Sequence, residues 1–481
     1  MNILVLNPAS SLRKNVVRDV LYGCWCSGKR IGGGTVPPFS LLLVATVLKQ
    51  DGNDVIFKDL QAGQEPLAAI KKEIIDADIA IVSTSTMTFQ EDAAVLKIMK
   101  GWNPKLETAV FGSHPTFMPQ ATLNAPSIDV AVRHEPELIL RDLIRAKQNG
   151  ADWRGVKGIG FRQHEKIKIN PEYSFIDNLD DLPFPDVSLL PRGIDYFNPI
   201  IKRNPYITTT TSRGCPGKCR FCTAPRFDGK VLRFQSADYV LREIEYFLEN
   251  GYREIYFRDD TFFINRKRDR QIFSGILDRK LDVTWLGNAR IGMIDKETME
   301  LAKAAGCHTI KFGVESGDQT VLDRSKKGFR LKQAQDTFRW ANEVGLSTHA
   351  HCMIGMPGDN EDTINRTIHF VEKLNPTTVT FGICTPYPGS PLFDTVSKVH
   401  PEIGDGTASD FSKLHVRGLF NEVYADLPKD RLEYLLRKAY RSFYLRPHVL
   451  FNFLKRIRTK EDFKRTCLAG VNVIDFALFG E

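Results

Sequence analysis

The sequence predicts an α/β protein with a doubly wound, Rossmann-like N-terminal domain, a partial barrel and a helical C-terminal region. Three observations predict this fold class. Strand-like and helix-like stretches alternate in two series, the strand-like runs are almost continuously apolar, and the strand signal fades after about residue 395. Alternating strands and helices form βαβ units with a mostly parallel sheet, whose strands are apolar because helices cover both faces. The length of 481 residues leaves room for about three domains.

The first series lies in residues 1–150. Its predicted strands are 3–6, 54–60, 79–86, 108–112, 128–132 and 158–162, and its predicted helices are 39–50, 66–75 and 89–100. Asp51-Gly52 ends the first helix, because such turn residues do not continue a helical pattern. Residues 151–205 are predicted to hold the end of this domain and a linker, because prolines and the acidic run 177–181 interrupt the pattern.

The second series lies in residues 206–395. Its predicted strands are 207–212, 254–258, 283–287, 309–314, 347–354 and 378–384, and its predicted helices are 236–250, 266–279, 295–305, 330–344 and 361–374. Six βα units are too few for a closed eight-stranded barrel, so the pattern predicts a partial (β/α)6 barrel. Residues 396–481 are predicted to be helical, with helices over 431–443 and 449–457.

Composition and charge limit the class of protein. No stretch approaches the ~20 apolar residues of a membrane-spanning helix, and the N-terminus lacks the pattern of a signal peptide, so we expect a cytoplasmic protein. The segment 429–465 carries 12 Lys and Arg against 4 Asp and Glu, which accounts for the +8 of the whole chain. Its interleaved aromatic residues favour peripheral contact with an anionic membrane over nucleic acid. The alternative is a helix that caps the barrel and exposes a basic face.

The strongest motif is TSRGCPGKCRFC, which places Cys215, Cys219 and Cys222 directly after a predicted strand. Thiolates are soft ligands for iron–sulfur clusters or zinc. Three cysteines on one loop can hold three irons of a [4Fe–4S] cluster and leave the fourth open. Structural zinc normally needs four ligands, and no fourth Cys or His lies within a dozen residues. A three-cysteine zinc site or free thiols remain the alternatives.

This C-x3-C-x2-C motif, at the end of the first of six βα units, resembles the radical S-adenosylmethionine (SAM) superfamily over residues 207–395, and Phe221 matches the aromatic residue that the family carries there. The resemblance implies that the open iron binds SAM, whose reductive cleavage yields a 5′-deoxyadenosyl radical. It also implies that residues after the later strands lie beside SAM. These residues are Asp259, Asp260, Arg290, Glu315, Ser316 and Gly355. The two aspartates could instead be solvated loop carboxylates.

The N-terminal domain carries a second resemblance. The stretches 32–60, FGSHPT (111–116) and VRHEPE (132–137) are similar to the cobalamin-binding branch of that superfamily. Open α/β sheets bind ligands at the carboxyl ends of their strands. The candidate cobalamin-binding residues there are Gly32, Gly33, Gly34, Ser83, Gly112 and His114. The D-x-H-x-x-G motif of many cobalamin domains is missing from residues 1–150. Cobalamin is therefore either bound without a protein imidazole or lost, and His114 is a ligand or an ordinary loop histidine.

Together these resemblances imply a radical SAM methyltransferase that methylates an unactivated carbon of a small molecule or lipid. They also imply a low-potential electron donor of the flavodoxin or ferredoxin type. The first alternative is radical cyclisation or carbon–carbon bond formation on a lipid or isoprenoid. A tRNA methylthiotransferase is disfavoured, because such enzymes carry three N-terminal cysteines and a C-terminal β domain. A non-enzymatic iron–sulfur protein would not need the remaining motifs.

Five further residues have two interpretations each. Cys24 and Cys26 are either structural or a metal or redox pair. Cys352 and Cys384 are buried, inert thiols or face the substrate. Tyr387, after the last predicted strand, packs in its loop or donates a proton or hydrogen atom.

Overall fold

The computed structural model describes residues 1–10, 16–18, 34–405, 418–457 and 459–479. It confirms the predicted fold class: an N-terminal parallel sheet with helices on both faces, a second parallel sheet, and helices at the C-terminal end. Gly32, Gly33, Cys24 and Cys26 lie outside the described residues.

The N-terminal sheet has seven strands within the described residues, in the order β2-β1-β3-β4-β5-β6-β7. The strands are β1 Asn2–Asn7, β2 Asp54–Asp59, β3 Ile79–Ser83, β4 Glu107–Phe111, β5 Val130–Val132, β6 Ile159–Gln163 and β7 Lys166–Ile169. The helices are α1 Phe39–Gln50, α2 Leu60–Gly63, α3 Lys71–Asp76, α4 Phe89–Trp102, α5 Ser113–Phe117, α6 Pro119–Asn124 and α7 Pro136–Gln148. Strands β1 to β5 are parallel, and β6 and β7 are antiparallel. The strand order reverses between β1 and β3, which is where open sheets of this type bind ligands.

The loops after β3 and β4 meet at this ligand-binding edge. Gly112 has φ +121°, and a Cβ atom there would lie 2.2 Å from the carbonyl oxygen of Thr84. Only glycine permits this backbone conformation and this approach. The backbone N–H of Thr84 donates to the carbonyl of Phe111 at 2.8 Å. Gly112 therefore brings the two loops together.

The predicted linker contains a strand that the sequence pattern did not reveal. β7 pairs with β6 as a hairpin at the edge of the sheet, and its KIKI sequence is mostly exposed. An exposed edge strand lacks the apolar run on which the prediction depended. From residue 170 to 205 the chain has short 3₁₀ turns and no strand, as a linker should. This linker packs on the N-terminal domain, where the Tyr196 hydroxyl donates to Asp59 at 2.8 Å.

The second sheet is the predicted partial barrel. Its six parallel strands within the described residues have the order β15-β14-β13-β12-β11-β8. They are β8 Tyr206–Thr209, β11 Glu254–Phe257, β12 Thr284–Ala289, β13 Cys307–Glu315, β14 Ser347–Ile354 and β15 Thr378–Ile383. Two short strands, β9 Ser212–Arg213 and β10 Arg233–Phe234, form a separate antiparallel pair. The helices are α8 Ala224–Phe227, α9 Ala237–Glu249, α10 Arg266–Asp278, α11 Lys296–Ala304, α12 Gln319–Arg324, α13 Leu331–Val344, α14 Glu361–Leu374 and α15 Pro391–Val399.

Three helices follow the barrel: α16 Lys429–Tyr444, α17 Pro447–Arg456 and α18 Lys460–Phe479. The sequence pattern gave bounds for the first two; α18 lies in the region predicted to be helical, without bounds of its own, and α15 was not predicted. No helix in the described ranges is long and apolar enough to cross a membrane.

Helix α16 covers the open edge of the barrel. An unpaired strand edge exposes backbone N–H and C=O groups. The Tyr440 hydroxyl accepts from the N–H of Phe381 at 3.2 Å and donates to its C=O at 3.0 Å. The Tyr444 hydroxyl does the same for Val379 at 3.0 and 2.6 Å. The part of the basic segment that forms α16 therefore caps the barrel, and its apolar face is buried.

These two hydroxyls should contribute measurably to stability. We expect Tyr440→Phe and Tyr444→Phe each to lower the free energy of unfolding by about 1–3 kcal/mol, because each leaves buried backbone groups unpaired. Urea denaturation followed by circular dichroism measures this loss. Tyr434→Phe is the control, because Tyr434 lies on the same helix and is 39% exposed. Equal stability of all three variants would contradict this account of the barrel edge.

Candidate active site

The three cysteines of the strongest motif line one cavity of about 330 Å³. They lie on the loop between β9 and α8, at the carboxyl end of the barrel strands. Gly217 makes room between them: a Cβ atom there would lie 3.2 Å from Sγ of Cys215 and 3.9 Å from Sγ of Cys219. The loop thus surrounds a space that all three thiols reach.

The chemistry of this loop fits a cluster better than a single metal ion. In the described part of the chain, no three His, Cys, Asp or Glu side chains are close enough to hold one ion. A cluster differs because each thiolate takes its own iron. Burial and the nearby Asp260 raise the pKa of the Cys215 and Cys222 thiols. Such thiols stay protonated unless a metal replaces the proton.

Three of the residues expected beside SAM line the same cavity, namely Asp260, Arg290 and Glu315, and so does Phe221 of the cysteine motif. The Glu315 carboxylate pairs with the ammonium of Lys327 at 2.7 Å, and both residues are buried. Glu315 also has φ +63°, a conformation that costs energy outside glycine and clusters at functional sites. Burial and the neighbouring Asp259 raise the pKa of Asp260.

Three other expected residues do not line the cavity but support it. Asp259 is fully buried, so the solvated alternative is wrong for this residue. Its carboxylate accepts hydrogen bonds from the backbone and hydroxyl of Thr211 and from the hydroxyl of Ser212, and so fixes the turn after β8. Ser316 bonds to Thr367 on α14 at 3.0 Å. The carbonyl of Gly355 accepts from Asn421 at 3.1 Å.

The N-terminal domain forms the opposite wall of the cavity. Ser85, Thr86 and Met87 follow β3, and Ser113 follows β4. The sequence argument pointed to this sheet edge but named Ser83, which is buried inside the end of β3 beside Asn7. The difference follows from the length of the strand, because β3 ends at Ser83 and the residues that line the cavity belong to the loop after it.

His114 is packed in the core rather than against the cavity. Its ring stacks on Phe89, with 4.1 Å between centroids, and its Nδ1 lies 3.3 Å from the Thr86 hydroxyl. Burial lowers its pKa to about 3, so the imidazole is neutral. Its Nε2 has no hydrogen-bond partner among the described residues, but the side chain is fully buried and outside the cavity wall. This position supports the loop-histidine interpretation.

Gly34, another residue expected to bind cobalamin, packs against Phe197 of the linker.

The structure places the two buried cysteines and the tyrosine for which the sequence left two interpretations. Cys352 and Cys384 are both buried, and burial raises the pKa of each thiol. Cys352 lines the cavity and Cys384 does not. Tyr387 lines the cavity and donates to Sδ of Met87 at 3.6 Å, so it bridges the two walls.

Sequence reasoning missed the barrel floor of this cavity, which includes Lys311, His351 and Met353. A signal was present. In IKFGVE (310–315) and THAHCM (348–353), polar and apolar residues alternate, and alternate residues of a strand face one side. Polar residues at those positions, inside an otherwise apolar parallel sheet, indicate that the barrel interior contains a cavity and is not filled by apolar side chains.

A cluster of buried ion pairs joins the two domains beside the cysteine loop. Glu137, at the start of α7, binds Arg213 at 2.7 and 3.2 Å. Glu135 lies 3.3 Å from Arg213 and 2.8 Å from Arg233 of β10. Burial opposes the charge of Arg213, but Glu137 and Glu135 raise its pKa overall. The VRHEPE stretch therefore holds the residue two positions before Cys215 and does not line the cavity. We call these four residues the interdomain ion-pair cluster.

Comparison with known proteins agrees with this geometry. The family model described as "Radical SAM superfamily" matches residues 209–371, and that of the "B12 binding domain" matches residues 32–144. An uncharacterized methyltransferase of Pyrococcus horikoshii is 32% identical over 426 residues, covering 88% of this chain and 91% of that protein. The anaerobic magnesium-protoporphyrin IX monomethyl ester cyclase of Rubrivivax gelatinosus is 28% identical, covering 91% and 78%.

A solved structure shares the fold. The cobalamin-dependent S-adenosylmethionine radical enzyme OxsB, with aqua-cobalamin and S-adenosylmethionine bound, superposes with a TM-score of 0.67. The sequences are 18% identical, and the match covers 91% of this chain and 70% of that one. The likeness therefore extends through both domains.

The interdomain ion-pair cluster should be essential for stability. We expect Arg213→Met to lower the free energy of unfolding by about 3–5 kcal/mol, because it leaves the buried carboxylate of Glu137 without a cation and Glu135 with Arg233 alone. Arg226→Met is the control: Arg226 and Asp394 form an ion pair that is 44% and 47% exposed, and such pairs contribute about 0–1 kcal/mol. Guanidinium denaturation of both variants measures the difference. A similar small loss in both would contradict the role given to Arg213.

Proposed function

This chain belongs to the radical SAM superfamily and carries a B12-binding domain, and from that premise we propose that it methylates an unactivated carbon of a small-molecule or lipid substrate. The observation that supports the proposal is one cavity whose walls come from both domains. The three cysteines lie on one side, and the loop of Ser85, Thr86 and Met87 lies on the other. Both cofactors of such an enzyme would thus reach the same substrate.

Cys215, Cys219 and Cys222 would hold a [4Fe–4S] cluster with one open iron. When bound, the cluster supplies the electron that cleaves SAM to the 5′-deoxyadenosyl radical. The residues of the chain position the SAM molecule. Glu315, held by Lys327, and Asp260 present oxygens that can accept hydrogen bonds from its hydroxyl and amino groups. Arg290 presents a cation to its carboxylate.

The edge residues Ser85, Thr86, Met87 and Ser113 would contact cobalamin. When bound, cobalamin supplies the methyl group that the substrate carbon receives. On the N-terminal side, the described residues of the cavity wall include no histidine, and His114 packs against Phe89 instead. We therefore propose no protein imidazole there as a ligand of cobalamin. Met87 and Tyr387 pack with the apolar cluster around Phe393, and this packing keeps water away from the reacting groups.

A second candidate is radical cyclisation without methyl transfer, which the similarity to a monomethyl ester cyclase favours. The two candidates differ in their products. Loss of a methyl group from SAM leaves S-adenosylhomocysteine, whereas radical formation alone leaves 5′-deoxyadenosine. We propose a low-potential flavodoxin or ferredoxin as electron donor for either reaction, because the cluster must be reduced before SAM is cleaved.

Helices α17 and α18 form the surface that we propose contacts an anionic membrane. Phe451 is 55% and Leu454 is 66% exposed on α17, and further apolar residues of α18 are exposed. Basic side chains such as Lys455 and Lys464 lie among them. Exposed apolar and basic side chains together are typical of helices that lie at a lipid interface. The proposed contact therefore begins after α16, which caps the barrel, and extends along α18 beyond the end of the segment 429–465.

Replacing one cluster cysteine tests the proposed function. We expect the reconstituted wild-type protein, given SAM, cobalamin and a low-potential reductant, to form both S-adenosylhomocysteine and 5′-deoxyadenosine. Cys219→Ala should form 5′-deoxyadenosine only at background, because the cluster loses a ligand. Liquid chromatography with mass spectrometry measures both products, and absorbance measures the cobalamin retained after desalting.

Cys467→Ser is the matched control, because Cys467 is exposed on α18. It should behave as the wild type. Undiminished 5′-deoxyadenosine from Cys219→Ala would exclude radical SAM chemistry at this site. Formation of 5′-deoxyadenosine without S-adenosylhomocysteine would move cyclisation to first place.

Vesicle binding tests the proposed membrane surface. The wild type should float with vesicles that contain a quarter phosphatidylglycerol in phosphatidylcholine, and binding should fall with salt. Phe451→Ser/Leu454→Ser should weaken binding by ~100-fold, because about 3 kcal/mol of apolar burial is lost. Ile75→Ser/Ile98→Ser is the control, because both residues are 49% exposed in the N-terminal domain. Equal binding of the two double variants would disprove this surface.

A further inference from the structure

The floor of the cavity holds a buried cation. The Lys311 ammonium donates to the Tyr256 hydroxyl at 2.5 Å and lies 4.9 Å from the centroid of its ring. Lys311 is 7% exposed and Tyr256 is 3% exposed, and Lys311 lines the same cavity as the three cysteines. A lysine inside a parallel sheet costs desolvation energy, so its position needs an explanation other than packing.

Two histidines of the neighbouring strand β14 lie in this part of the barrel: His349 is paired in register with Lys311, and His351 lines the cavity. His349 and His351 of β14 pack at 4.5 Å between ring centroids. His349 binds the hydroxyls of Thr378 and Thr380 at 2.7 and 3.1 Å, and His351 binds Thr380 at 3.0 Å. Burial and the charge of Lys311 lower the pKa of His349, so its ring is neutral. On β13 itself, the carboxylate of Glu315 is paired with Lys327 at 2.7 Å.

We propose that Lys311, with Tyr256 and His351 beside it, binds an oxyanion of the substrate, a carboxylate or a phosphate. A desolvated ammonium gains a charge-assisted hydrogen bond from such a group, and the tyrosine hydroxyl and imidazole can add further hydrogen bonds. That the bound molecule is the methyl acceptor rests on the proposed function. That an oxyanion binds at this place rests on the cavity alone.

The position of Lys311 also limits where the substrate reacts. Lys311 precedes Glu315 by four residues on β13, and the strand register shifts between Gly313 and Glu315, so their Cα atoms are at most about 13 Å apart. Lys311 therefore lies deeper in the barrel than Glu315, beside which SAM is expected. The apolar residues Met353 and Ile383 also line the cavity. We infer that the anionic group anchors the substrate, and that an apolar body carries the reacting carbon towards the cysteines.

Binding of three hexyl probes tests this inference. Hexanoate, hexyl phosphate and 1-hexanol have the same chain and differ in the head group. The holoenzyme, with cluster, cobalamin and SAM, should bind at least one anion tenfold or more tightly than hexanol, as measured by isothermal titration calorimetry. Lys311→Met and Lys311→Gln should remove this preference and leave hexanol binding unchanged. Lys311→Arg should retain it.

Lys97→Met is the matched control, because Lys97 is an exposed lysine of the N-terminal domain, and it should bind all probes as the wild type does. Preference for one anion identifies the head group, and similar affinity for both supports the oxyanion class. Equal binding of hexanol and both anions by the wild type would overturn the inference. So would an anion preference that survives in Lys311→Met or is lost in Lys97→Met. Circular dichroism checks the folding of each variant. If neither Lys311→Met nor Lys311→Gln folds, the affinities of the wild type for the two anions and for hexanol decide whether the inference stands.

The same titrations without cobalamin and SAM separate this inference from the proposed function. Failure to bind cobalamin or to cleave SAM would contradict the proposed function while the anion preference stands. Normal SAM cleavage without any anion preference would overturn only the role of Lys311.

Discussion

The interdomain ion-pair cluster is the constraint on which the site depends. Glu135 and Glu137 belong to the N-terminal domain, and Arg213 and Arg233 belong to the small β9–β10 pair that precedes and follows the cysteine loop. Buried ion pairs contribute little net stability relative to apolar packing, but breaking one leaves a charge that nothing compensates. Such a cluster therefore permits one relative position of the two domains and penalises the alternatives. Because Arg213 is two residues before Cys215, the same contacts position the cysteine loop against the edge of the N-terminal sheet.

Other contacts hold the two domains in the same arrangement from the opposite side. The linker crosses the junction, with Tyr196 bound to Asp59, and the Thr208 hydroxyl of β8 donates to the carbonyl of Pro37 at 3.1 Å. Above the cavity, Met87 of the N-terminal domain packs with Tyr387, Phe393 and the segment around Val423. The cavity thus lies between the edge of the N-terminal sheet and the end of the barrel, and these contacts hold the two domains together around it. A reaction that needs two bound cofactors at fixed separation requires such an arrangement, since positional error of about 1 Å can cost ~100-fold in rate.

The parts of the fold that sequence predicted are those in which a short stretch determines its own structure. The strands β3 and β4 were predicted because short apolar runs such as IAIVS and AVF are typical of buried strands. The cysteines were predicted because their spacing is itself the motif. The cavity residues Thr86 and Met87 come from the loop after β3 and Lys311 comes from β13, and only the assembly of both domains brings them together. β7 was missed because an exposed edge strand lacks the periodic apolar pattern on which the prediction depends. The sequence left His114 open between a ligand and a loop histidine, because a histidine at a strand end allows both until its packing partner Phe89 is known.

The open edge of the barrel explains why the C-terminal region belongs to the site. In a closed barrel every strand has a neighbour on both sides, but this sheet ends at β15. The next strands inward, β14 and β13, carry residues of the cavity floor. Tyr440 and Tyr444 pair with that edge through hydroxyls rather than through another strand. The preceding segment continues this cover, because Asn421 and Tyr424 donate to the carbonyl of Cys384 at 3.0 Å each. A seventh strand would have closed the sheet further and narrowed its interior. A helix that supplies side-chain hydroxyls satisfies the same backbone groups while leaving the sheet open, and an open sheet can admit a large substrate beside two cofactors.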